Sequence, residues 1–127
     1  MLQGGSEVPF AIKRIYEPAS EEDGRRCLVD RLWPRGITKE FAWLDEWVKD
    51  AAPSPELRTW FAHKPERFAE FSEKYRAELH VDLEKKAAVR RLWEAGTAGR
   101  VTLLYAARDE SVNHAAVLKE VLEGMRG

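Results

Sequence analysis

Residues 28–36 read Leu-Val-Asp-Arg-Leu-Trp-Pro-Arg-Gly. The apolar run from Cys27 to Leu32, nearly continuous but broken at Asp30, has the pattern of a strand buried on both faces of a parallel sheet. Pro34 and Gly36 stop it. The end of this run is poor core material, because it sets two permanent cations, Arg31 and Arg35, beside the large aromatic Trp33. A second stretch repeats the design: Val101-Thr-Leu-Leu-Tyr-Ala106 runs into Ala-Arg-Asp-Glu-Ser-Val-Asn113. Two parallel strands would leave both charged loops on one sheet edge, outside the strand carboxyl ends where ligands of open α/β sheets bind.

Outward from these two stretches the chain alternates strand and helix signals. Phe10–Tyr16 reads as a strand, ended by Glu17-Pro18 and the polar loop Ser20–Gly24. Thr38 is placed to cap a short helix over Lys39–Leu44. Asp45–Ala51 suits either a continued helix or a third strand, and strand is preferred. Ser54-Pro55 is a helix start, with a capping hydroxyl and a first-turn proline. Pro65–Leu79 puts Phe68, Phe71, Tyr75 and Leu79 on one helical stripe. Leu83–Ala95 continues with Val89, Leu92 and Trp93, and Gly96 is placed to end it. Ser111 or Asp109 opens a last helix that buries Val117, Leu118, Val121, Leu122 and Met125. This order predicts a small three-layer α/β domain with a mostly parallel sheet and helices on both faces. Residues 1–9 read as a flexible leader and residues 10–127 as a single domain.

Composition narrows the function classes. The chain has 127 residues, 44% hydrophobic and 34% charged, a globular balance. Lys and Arg number 21 against 22 Asp and Glu, a net charge of −1. Proteins that live on nonspecific nucleic-acid binding carry an excess of positive charge, so that class is disfavoured. The single cysteine, Cys27, excludes an intrachain disulfide and any CxxC motif. Its position beside Leu28 and Val29 predicts a buried thiol. A reducing cytoplasm is the expected compartment, and no apolar stretch approaches the roughly 20 residues of a membrane helix.

The candidate site residues fall in three groups. Arg31 and Arg35 offer planar, bidentate donors for carboxylate or phosphate, and Trp33 a face for stacking. The alternative is internal, with Asp30 and Asp109 pairing with these arginines to pin the loops. Arg108 and Asp109 join a strand to a helix amino end, where the macrodipole favours an anion. Asp109 either caps that helix or serves as an acid/base group. Asn113 and Tyr105 either reach a ligand or satisfy the fold. Trp60 and His63 form the third group, with His63 in a loop where a histidine can act as acid or base near neutral pH. His63, His80 and His114 are scattered, without metal-ligand spacing, so neither a metal nor another cofactor is expected.

Asp30, Arg31, Trp33, Pro34, Arg35 and Gly36 form the first of four ordered motifs. Ala52, Pro53 and Ser54 with Trp60, Phe61 and His63 form the second. Tyr75, Arg76 and Leu79 form the third, and Leu104, Tyr105, Ala106, Asp109, Asn113 and Leu118 the fourth. Together they make the chain, from about Ile12 to Leu122, resemble the domain of unknown function 488 family of the YeaO-like kind. The resemblance implies an α/β domain with these loops together, and assigns no catalytic residue. The layout is also similar to that of rhodanese-type sulfurtransferases, which place a cysteine after the later strand. Here that neighbourhood is Ala106-Ala107, without sulfur, so persulfide chemistry is not expected.

The expected function is therefore an Arg/Trp-lined pocket for a small anionic molecule, with acid/base chemistry by His63 and Asp109 if there is turnover. The rivals are a nucleic-acid accessory, supported by four of the five tryptophans lying between Trp33 and Trp60, and a non-catalytic interaction module.

Overall fold

Val101–Tyr105 (β4) is buried at all five positions. A strand with both faces covered belongs inside a sheet, and β4 lies between Phe10–Arg14 (β1) and Arg25–Leu28 (β2). Glu46–Trp47 (β3) adds a two-residue edge beyond β2. The order is β1-β4-β2-β3 and every pairing is parallel, with Leu103 facing both Ile12 and Cys27 across the ladder. These coordinates come from a computed structural model that describes residues 9–126. The leader expected at residues 1–9 lies, apart from Pro9, outside the described residues.

Alternation along the strands produces two cores. Phe10, Cys27, Val29, Val101, Leu103 and Tyr105 face the larger one. It is closed by Phe68–Val81 (α3), Leu83–Ala98 (α4) and His114–Glu123 (α5), which supply Phe71, Tyr75, Leu92 and Leu118. Pro55–Phe61 (α2) adds Leu57 and Phe61. On the opposite face Ile15, Leu28 and Leu104 pack with Ala42 of the short helix Lys39–Ala42 (α1), and Trp33, Ile37, Leu44 and Trp47 complete that cluster. The domain is thus three-layered and α/β, with an all-parallel sheet and layers of unequal weight.

The thin layer is held by polar groups. Arg26, only 3% exposed, donates Nη1 to Asp23 Oδ2 at 2.5 Å. Its Nε and Nη2 reach Ala42 O at 3.1 and 2.7 Å, and Nε also reaches Trp43 O at 3.2 Å. These carbonyls end α1, where no intrahelical donor remains for them. Lys13 Nζ lies 3.1 Å from both Asp23 oxygens, and Thr102 donates its hydroxyl to Asp23 O.

Of the α3 stripe, Phe71, Tyr75 and Leu79 are buried, and Phe68 is partly buried against them. Asp45–Ala51 divides into β3 and a single 3-10 turn over Lys49–Ala51. Several boundaries differ from the sequence reading: β1 stops at Arg14 and not Tyr16, α1 stops at Ala42 and not Leu44, and α3 starts at Phe68 after a 3-10 turn over Pro65–Arg67. Gly96 does not end α4, which continues to Ala98; it sits inside the helix because a Cβ there would come within 2.5 Å of the Phe10 ring. The strand read through Leu32 stops at Leu28, and Leu32 is 60% exposed. The last helix is opened by Asn113, whose side chain accepts from Ala116 N at 2.8 Å.

Cys27 is fully buried, and burial is the main cause that pushes its thiol up to about 11. The thiolate is the reactive form. Cys27 in the folded protein is therefore expected to resist a thiol reagent at neutral pH and to react once urea unfolds the chain. Fast labelling of the native protein, followed by mass spectrometry, would contradict this.

Candidate functional site

The loops after β2 and β4 leave neighbouring strands at the same sheet edge, and between them opens a cavity of about 650 Å³. Such a volume suits a small-molecule ligand, for which pockets run roughly 300–1,000 Å³. Its walls include Trp33, Pro34, Phe61, Phe71 and Val112. Four arginines, Arg31, Arg35, Arg58 and Arg108, line it with two carboxylates, Asp30 and Asp109, and two histidines, His63 and His114.

Each wall is fixed by identifiable bonds. Asp30 ties the two strand ends together: its Oδ2 accepts from Ala106 N at 3.0 Å, and its carbonyl accepts from Trp47 Nε1 at 2.7 Å. Tyr16 donates its hydroxyl to Arg35 O at 2.9 Å and so holds the turn that ends in Gly36 at φ 77°. The Ala51–Ser54 segment is held from beneath. Tyr75 donates to Ala51 O, Lys85 Nζ reaches Ala52 O at 2.7 Å, and Glu78 accepts from Ser54 N at 2.9 Å. Burial first, then the charges of Glu78 and Asp30, raise the Tyr75 phenol well above its ordinary value, which keeps it a donor.

The residues singled out in the sequence separate into two sets. Arg31, Trp33, Arg35, His63, Arg108, Asp109 and Asn113 line the cavity; Trp60 and Tyr105 do not. Tyr105 points into the larger core and is 1% exposed. Trp60 is half-buried against that same core, with Arg67 and Lys74 over its ring. Trp33 lies on the other face, edge-on to Trp47 at 5.3 Å, and donates Nε1 to Ile37 O at 2.7 Å. Asn113 is buried; its Oδ1 caps α5 and its Nδ2 donates to Asp109 O at 2.8 Å. Asp109 accepts from Val112 N and Ser111 N, each at 2.8 Å, and those bonds hold its carboxyl below the ordinary value of 3.8. His63 is exposed at the rim, in a left-handed conformation that follows left-handed Ala62.

The internal pairing weighed for the arginines does not form. Among the described residues, none of Arg31, Arg35, Arg58 and Arg108 makes a salt bridge. Arg31 Nε is buried without a partner. Asp30 Oδ1 is likewise buried without a hydrogen bond, 3.2 Å from His114 Nε2, which bonds Val29 O at 3.0 Å. Sequence reading passed over this pair. In the sequence Asp30 reads as an arginine partner and His114 as one of three scattered histidines. Only the sheet order, which puts β4 beside β2, brings the start of α5 to the end of β2. Among the described residues no three His, Cys, Asp or Glu side chains gather as a metal site would require.

The carboxyl edge of the parallel sheet thus holds a crevice lined by four arginines. A sequence profile described as "Inactive DUF488-N3 subclade" matches residues 9–125, and the chain belongs to this family. It is 45% identical over 120 residues to the uncharacterised protein Rv3073c of Mycobacterium tuberculosis (strain H37Rv), covering 93% of this chain and 97% of that one. It is 44% identical over 113 residues to the uncharacterised protein YeaO of Escherichia coli K12, covering 89% and 96%. No solved structure gives a significant match.

Proposed function

We propose that the protein binds a small anionic molecule in the crevice between the 30–36 and 106–114 loops. One observation carries this reading. Four arginines face one cavity against two carboxylates; Asp109 is already engaged by backbone N–H groups, and Asp30 is bonded to Ala106 N through one oxygen while the other lies 3.2 Å from His114 Nε2. In a chain of net charge −1 this is a local excess of unpaired guanidinium, suited to carboxylate or phosphate. The amino end of α5, which reaches the cavity at Val112–His114, adds to the positive potential.

Binding is favoured over turnover. Asp109 is held in its charged form by its loop bonds, which suits a cap better than a proton carrier. The description of the family as an inactive subclade supports the same choice. The nucleic-acid reading loses most of its best argument in space, since Trp33 and Trp47 pack in the small core and Trp60 against the large one, leaving only Trp43 of the four exposed. Among the described residues no helix is long and apolar enough to cross a membrane. The buried, unbridged Cys27 favours a reducing compartment, and we assign the cytoplasm.

The test is calorimetric titration with inorganic phosphate. Arg35→Lys keeps the charge but loses the planar fork, and is expected to weaken binding about tenfold. Arg90→Lys, on an exposed pair with Glu94 on α4, should leave it unchanged. If Arg35→Lys matches wild type, and single-stranded DNA binds with an affinity that falls steeply with salt, the protein is a nucleic-acid binder instead.

A further inference from the structure

The anion-binding reading accounts for the arginines but leaves the Asp30–His114 pair without a task. Its geometry is specific. His114 Nε2 hydrogen-bonds Val29 O at 3.0 Å, and Asp30 Oδ1, which is buried and makes no hydrogen bond, lies 3.2 Å from the same nitrogen. A ring nitrogen between a carbonyl and a carboxylate carries its hydrogen, because an unprotonated nitrogen there would meet only lone pairs. The neutral ring is then the Nε2–H tautomer, and Nδ1 is left as an acceptor. Nδ1 has no hydrogen-bond partner among the described residues and is not among the side-chain atoms that are both buried and unpartnered. His114 lines the cavity, and its ring is braced edge-on by Tyr75 at 6.1 Å. Asp30 itself cannot rotate away freely, since its other oxygen holds Ala106 N.

We infer that His114 presents Nδ1 to the cavity as a fixed acceptor, so that the ligand is a small anion that also carries a hydroxyl group. The arginines take the phosphate or carboxylate end, and the hydroxyl donates to Nδ1. Val29 O takes the Nε2 hydrogen and sets the tautomer, and Asp30 acts as a positioning residue whose carboxylate beside that nitrogen favours the same proton. This inference rests on the anion-binding reading and narrows its ligand class. It also gives a reason for a carboxylate so close to the arginines to be spent on a histidine: the pairing leaves the guanidiniums free and adds an acceptor to a wall otherwise rich in donors.

The experiment compares matched probes that differ by hydroxyl groups: glycerol 3-phosphate against propyl phosphate, and lactate against propionate. Wild type is expected to favour the hydroxylated member about tenfold, the scale of one well-placed hydrogen bond. The phosphate and carboxylate arms show which anion the arginines take. His114→Gln is the decisive variant, because its amide can keep the bonds made by Nε2 while deleting Nδ1. It should lose the hydroxyl preference, read as the ratio of the affinities for the two members of each pair. Nitrogen-15 NMR of the ring, which a merely structural role would not shift, should report a bare Nδ1 in wild type and an altered tautomer balance in Asp30→Asn. Phosphate binding without hydroxyl preference would overturn the inference and spare the anion reading, as would a preference that survives His114→Gln. A proton on Nδ1 in wild type would also overturn it. Failure of inorganic phosphate and of every probe to bind would remove both.

Discussion

Asp23→Asn is expected to destabilise the fold by about 3–5 kcal/mol, the range for removing one partner of a buried ion pair. Asp23 and Arg26 are 7% and 3% exposed, and Lys13 joins them from β1. With the carboxylate gone, Arg26, almost wholly buried, and the partly buried Lys13 are left as two uncompensated neighbouring cations. Arg26 keeps its bonds to Ala42 O and Trp43 O, so the loss should fall toward the lower bound. Burial alone would push the Asp23 carboxyl up, but the Ser20 N–H, Lys13 and Arg26 outweigh it, and the net shift is below 3.8. A carboxyl lowered by folding contributes stability above its ordinary value and loses it as pH falls through the lowered one. Wild type should therefore weaken below about pH 4, and Asp23→Asn should lack that part of the acid response. Urea unfolding read by circular dichroism would give both quantities. A variant with an unchanged midpoint would show that the network is dispensable.

Gly24→Ala should be nearly as damaging, by about 3 kcal/mol or more, since backbone strain and overpacking act together. Gly24 has φ 64° and ψ −134°, a combination that side chains of L-residues exclude. A Cβ there would also lie 2.4 Å from Arg100 O, a backbone atom that accepts from Arg25 N at 2.9 Å to begin the β2–β4 ladder. Neither side of that contact can move without disturbing the start of both strands. Gly99 is the control. Its φ of 164° is extended and nothing lies within 4 Å of its Cβ position, so Gly99→Ala should stay within about 0.5 kcal/mol of wild type.

What the sequence made legible was governed by local periodicity. The run of apolar residues at Val101–Ala106 and the stripe through Phe71, Tyr75 and Leu79 are properties of single elements, and the fold keeps them. The same local logic extended β2 to Leu32, because it could not weigh Asp30 accepting from Ala106 N and turning the chain. Gly96 looked like a helix terminator for a similar reason: its partner, the Phe10 ring, comes from the far end of the chain. Within the site, both loops were readable as strand-to-loop transitions rich in charge. The roles inside them were not, since Trp60 and Tyr105 turn toward the larger core and Asp30 pairs with His114 across most of the chain.

The strand order has a consequence for how the chain acquires its shape. β1 and β2 are early in the sequence, yet neither pairs with the other; each is joined to the sheet through β4, with α1–α4 intervening between β2 and β4. During synthesis the first hundred residues therefore emerge without the strand that β1 and β2 both require. Their edges stay open until Tyr105 has cleared the ribosome, and the main ladder closes late, over long sequence separations of the kind that slow folding. The crevice inherits this order, because its two walls become neighbours only once β4 lies beside β2.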